Sequence, residues 1–76
     1  MKEQIIFPDI IESALVRNFE RLPVRQMPAM LYAWDVLTYT AEQELKYWKD
    51  IDMVISAIEC RTDDIIDAWK VQELLH

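Results

Sequence analysis

Two pairs of carboxylates stand three residues apart in this chain, Asp9 with Glu12 and Asp64 with Asp67. That is the spacing at which helical-bundle hydrolases hold magnesium between facing acids. Such a centre needs a third or fourth pair, and the chain has none. Each pair also falls in what reads as a helix-starting turn, where acids are expected because they interact favourably with the helix dipole. Cys60 is the only cysteine; Arg61 is its one neighbouring cation, and the sole histidine is the terminal His76. A thiolate nucleophile wants a base, a redox pair wants a second cysteine and a zinc site wants several such ligands. Glu44 is predicted to project into the middle of an apolar helix face. A carboxylate in that position marks some functional sites, but with no histidine or cysteine beside it the expected role is an inter-chain hydrogen bond or snorkelling to a bundle edge. The chain therefore reads as a non-enzyme, without catalytic residues, metal or cofactor.

What remains are residues suited to contact. Arg17, Arg21 and Arg25 recur every four positions and would form a basic strip on one helix face, most simply a solvated one. Trp34, Trp48 and Trp69 fall at helical, inward spacing and read as core anchors.

Three helices are expected to position these groups, at about 9–22, 28–60 and 63–75. Asp9 and Glu12 have the spacing of a capping box. The stripe Ile11, Leu15, Phe19 and Leu22 follows, and Pro23 ends the helix, since proline disfavours helical geometry in the residue before it. Pro28 suits the first turn of the next helix. From Met30 to Ile58 the apolar positions Met30, Ala33, Trp34, Leu37, Ala41, Leu45, Trp48, Ile51, Ile55 and Ile58 keep one phase at 100° per residue. This continuity predicts one central helix of about 33 residues, roughly 50 Å long, running through Thr38-Tyr39-Thr40. Thr62 would then cap a third helix whose first turn holds Asp63 and Asp64, with Ile65, Ala68, Trp69, Val71 and Leu75 inside. Only 4–7 has any strand character, so the expected fold is all-α, in one domain spanning 1–76.

A chain of 76 residues, 53% hydrophobic and without glycine, carries more apolar surface than a small monomer readily hides. A core of this size supplies only about 3 to 5 kcal/mol, and a lone cysteine makes no staple. Two short helices cannot enclose a central one of twice their length, so the bundle is expected to be completed by oligomerisation, most simply as a twofold dimer. A second stripe on the long helix, with Leu31, Tyr32, Tyr39, Met53, Ala57 and Cys60, supports that reading, because tyrosine and methionine are enriched at interfaces. The candidate oligomer interface is Leu31, Tyr32, Trp34, Tyr39, Trp48, Met53 and Ile55.

Charge points to the kind of partner. The net charge is −6, and residues 1–34 balance to zero. The whole excess lies downstream, where ten acids face only Lys46, Lys49, Arg61 and Lys70. That half repels phosphate backbones and attracts basic proteins, so direct nucleic-acid binding is not expected. Asp63, Asp64 and Asp67, with Arg17, Arg21 and Arg25, are the candidate partner-binding residues. No run approaches the apolar length that a membrane span requires. The N-terminal residues lack signal-peptide character, and an unpaired cysteine suits a reducing compartment, so the cytoplasm is the expected location.

The string Arg21-Leu22-Pro23-Val24-Arg25 followed by 27–31 resembles a segment of short tail-assembly proteins of tailed phages. In outline the chain is also similar to immunity proteins, antitoxins and phage-encoded inhibitors of host machinery, a likeness of class alone. Two functions are thus in competition: a regulatory or inhibitory binder docking its acidic half on a partner, and a self-assembling structural or assembly-chaperone protein. A third is an oligomer that captures a small anionic ligand between Tyr32, Tyr39 and the arginines.

Overall fold

A computed structural model of the protein describes residues 7–23 and 25–75, all helix and connector among the described residues. Its elements are α1 (Asp9–Glu20), α2 (Met27–Tyr47) and α3 (Ile51–Leu75). Residues 4–6, most of the segment with strand character, lie outside those described. Phe7 packs against the core.

The first helix starts one residue earlier than a capping box on Asp9 and Glu12 requires. Pro8 takes the cap position with φ −55° and ψ 148° and makes no side-chain cap bond. Its carbonyl accepts from the Ile11 and Glu12 amides at 2.9 and 3.0 Å. Asp9 and Glu12 are thus first-turn acids acting on the helix dipole and do not form a reciprocal cap. At the other end the Arg21 and Leu22 amides bond back to Asn18 and Phe19 at 3.1 and 3.2 Å, a tightened last turn ahead of Pro23. Arg25 donates to the Glu20 carbonyl at 2.8 Å, satisfying another group that the helix end leaves open.

The expected central helix over 28–60 is corrected by the structure: it is two helices. Trp48 turns extended, with φ −108° and ψ 131°, and its amide closes the last turn on the Glu44 carbonyl. Two residues on, Asp50 Oδ1 accepts the Asp52 amide at 3.0 Å, as an N-cap carboxylate does. The reversal at 48–50 takes nearly one helical turn of chain. Apolar positions therefore stay in step whether the helix continues or doubles back. The Thr38–Thr40 region is unbroken, as expected. Thr38 Oγ1 donates to the Trp34 and Asp35 carbonyls, and Thr40 Oγ1 to that of Val36, so both hydroxyls are satisfied without leaving the helix.

The expected helix over 63–75 is likewise corrected. Thr62 is fully buried inside α3, not capping it, and its hydroxyl donates to the Ile58 carbonyl at 2.8 Å. Asp63 and Asp64 consequently lie mid-helix, away from any helix N-terminus. Val71 and Ala68 are exposed instead of inward-facing.

At 21 and 25 residues, α2 and α3 are about 32 and 37 Å long. They form an antiparallel hairpin, and α1 packs against both. Ile11 and Leu15 of α1 meet Leu37 and Ala41 of α2 and Val54 and Ile58 of α3 in one buried cluster. Around it pack Phe19, Trp34, Leu45, Ile51, Ile55 and Ile65, and Phe19 meets Trp34 edge to face with centroids 5.3 Å apart. Burial of each such side chain contributes about 1.5–3 kcal/mol. The premise of a long helix overhanging two short partners therefore no longer holds. What survives from it is a thin molecule, 41 × 29 × 18 Å, with α1 covering one side of the hairpin.

Candidate functional site

The groove between α2 and α3 carries Tyr32, Tyr39, Ala57 and Cys60 of the expected second stripe, in a different arrangement; Leu31 and Met53 line neither of its recesses. Had α2 and α3 been one helix, Tyr39, Ala57 and Cys60 would have lain in a line. The reversal at 48–50 instead brings them together across a groove. One recess, of about 390 Å³, is lined by Tyr39, Thr40, Gln43 and Glu44 from α2 and by Ala57, Cys60, Arg61 and Asp64 from α3. A second, of about 250 Å³, has Tyr32 and Val36 on one wall and Ile65, Ala68 and Trp69 on the other. Arg61 and Asp64 line both, so they stand where the two recesses meet.

Local chemistry explains why this groove is open. The α2 side of the groove has the exposed Tyr32 and Tyr39, and the facing turns of α3 offer the small or polar Ala57, Cys60 and Ala68. Short side chains opposite aromatic ones leave a furrow. In the recess beside Tyr39 no large aliphatic residue fills it, in contrast with the α1 side, where Leu37, Val54 and Ile58 close the space. At the elbow end Glu44 Oε2 accepts the Trp48 indole N–H at 2.5 Å, which fixes both groups at the groove mouth. Glu44 is half-buried there, not in the middle of an apolar face, because α2 ends three residues beyond it.

The other candidate residues fall in several places. Arg17, Arg21 and Arg25 form no strip: α1 ends at Glu20, Arg25 turns back on that helix end, and Arg21 pairs with Asp63 at 2.6 Å. Asp52 and Glu59 are exposed and in no ion pair among the described residues. Asp64 and Asp67 are exposed on α3 beside the groove. Of the proposed interface residues, Leu31, Tyr32, Tyr39, Trp48 and Met53 are exposed, whereas Trp34 and Ile55 pack on the protein's own core. Tyr47, 83% exposed at the elbow, was not among the residues singled out from the sequence. Arg61, and not the α1 arginines, is the cation near Tyr32 and Tyr39.

Among the described residues no group of three histidine, cysteine or acidic side chains is placed to hold a metal ion, and no helix is long and apolar enough to cross a membrane. Comparison of the chain with known protein families, with curated proteins and with solved structures finds no match.

Proposed function

We propose that this protein is a small acidic protein-interaction module that acts as a regulatory or inhibitory binder in the cytoplasm, docking on a basic partner protein and catalysing nothing. The observation that carries this reading is the two-recess groove between α2 and α3, walled by Tyr32, Val36, Tyr39, Ile65 and Trp69. Aromatic residues in a concave apolar setting are typical binding anchors. Around them the downstream half of the chain holds the entire negative excess, which favours a basic partner and speeds encounter with it.

The test is comparative capture from cell extract on the immobilised chain and on a variant with Asp64→Lys and Asp67→Lys. Both residues are exposed, so the fold should tolerate the change. The binder reading expects a species held by the native chain, released by salt and not held by the variant; identical retention by both overturns it. Asp63 is left unchanged because it anchors Arg21.

Self-assembly is the second reading, favoured by the exposed Leu31, Tyr32, Tyr39 and Met53. Light scattering after size exclusion separates the two. A dimer that persists at low and high salt would favour self-assembly through apolar contact, and a monomer at both would favour the binder.

A further inference from the structure

The shape and charge of the groove specify its occupant more narrowly than a basic protein surface. We infer that the α2–α3 groove receives a single cationic amphipathic helix of a partner protein, laid along it as the fourth helix of a bundle. This rests on the protein-docking reading and names the ligand class for it.

The dimensions come first. Along α3 one recess is reached by Ala57 and Cys60 and the other by Ile65, Ala68 and Trp69, a separation of about eight residues or about 12 Å. A helix lying in the groove presents large side chains at that distance when they are seven or eight residues apart, on one face. The residue one turn between them meets Arg61 and Asp64, which both recesses share, and so is expected to be polar. Two apolar anchors with a polar spacer are the recognition pattern that this groove can read.

Charge decides between a foreign helix and a second copy. Glu44 stands at the groove mouth, Asp64 lies at its middle and Asp67 is one turn further on along α3. Arg61 and Lys70 are the opposing cations, and Lys46 lies 3.9 Å from Glu42. A twofold pairing of two such faces would press this acidic rim against itself and take like charges out of water together, which costs more than pairing them with cations. A helix with lysine or arginine flanking its apolar stripe meets Glu44 from one edge and Asp64 and Asp67 from the other.

The probe is a synthetic helix of about 18 residues, with leucines at i and i+7 on one face, glutamine at the i+3 and i+4 positions between them and lysines elsewhere. Its control is a peptide of the same composition with the leucines scattered around the helix. Binding is followed by calorimetry and by backbone amide shifts of the full chain. The patterned peptide should bind and move the amides near Tyr32, Tyr39, Ala57 and Ala68. Its Kd should rise at least about tenfold, which is about 1.4 kcal/mol, on Ala57→Arg, on Tyr39→Ala and on raising the salt. Tyr39 is exposed, so its truncation keeps the test usable if Ala57→Arg fails to fold.

Equal binding of the two peptides overturns the inference, since attraction would then be charge alone. Binding with shifts confined to α1 or to the elbow overturns the groove while leaving the docking reading intact. No binding, with a dimer in solution that Ala57→Arg dissolves, makes a second copy the occupant. No binding by a monomer overturns the inference by itself; the docking reading falls only if native and charge-reversed chains also retain the same species from extract.

Discussion

The guanidinium of Arg21 reaches Asp63 Oδ1 at 2.6 Å across 42 positions of sequence, tying the end of α1 to the middle of α3. The same side chain donates through Nη1 to Oδ1 of Asn18 at 3.0 Å. Asn18 is only 3% exposed, and its amide group donates to the Ala14 carbonyl at 2.8 Å. The outer ion pair is half exposed, at 47% and 58% for the two side chains, so its coupling in a double-mutant cycle should be only about 0.2–1 kcal/mol. Arg21→Ala is expected to cost more than Asp63→Ala, because it also leaves a buried Asn18 oxygen without its donor, a loss of about 1–3 kcal/mol. Urea unfolding of the two single variants and the double variant measures both quantities, and equal effects would contradict the asymmetry.

The cap at the head of α3 gives a second prediction. Asp50→Ala removes the acceptor of the Asp52 amide and should lower stability by about 1 kcal/mol, seen as a fall in Tm of roughly 4–8 °C for a domain of this size. Asp50→Asn keeps an acceptor and should recover most of it. Thermal melts by circular dichroism would show the pattern; an alanine variant as stable as the native chain would mean that packing alone sets the elbow.

Legibility from sequence was uneven, for physical reasons that differ by element. The helix at 9–20 was readable because Pro8 and Pro23 bound it and a short apolar stripe fills it. The reversal at 48–50 was not, because it contains neither proline nor glycine and spans about one turn, so hydrophobic periodicity passes through it unchanged. The informative signal was Asp50 ahead of Ile51, an N-cap residue before an apolar position. Thr62 misled: threonine caps helices, yet it also hides its hydroxyl against the carbonyl four residues back. For the groove, the residue types were legible, since Tyr32, Tyr39, Ala57 and Cys60 already stood out as a second stripe. Their meeting across two helices was not, since it depends on where the chain folds back.

Thr62 separates cap from core. As an N-cap its replacement by valine would cost about 1 kcal/mol. Buried in α3 with its hydroxyl on the Ile58 carbonyl, it should accept Thr62→Val with a change below about 0.5 kcal/mol, since that carbonyl keeps its helical partner and the methyl groups fit. Thr62→Asp should be strongly destabilising, as a carboxylate there has no donor. Urea midpoints of the two variants check this.

Core substitution bears on how small the stability margin is. Leu37 is fully buried against Ile11, Leu15 and Ile58, and Leu37→Ala should cost about 2–5 kcal/mol. A single core of this size supplies about 3–5 kcal/mol, so the variant should be largely unfolded at 25 °C by far-UV circular dichroism. Retention of a cooperative transition close to that of the native chain would show reserves elsewhere.

The elbow at Trp48, Lys49 and Asp50 contains no positive-φ residue, and neither does any other described part of the chain. The reversal therefore relies on no specialised turn conformer, only on one segment leaving helical angles. Two chains that straightened this segment together could exchange their α3 helices and rebuild the same cores from the same contacts, because helix exchange of this kind changes which chain supplies a contact and not what the contact is. Refolding at high concentration should yield some exchanged dimer, resolved from monomer by size exclusion and enriched by Asp50→Ala, so the elbow makes the boundary of the folded unit a matter of concentration.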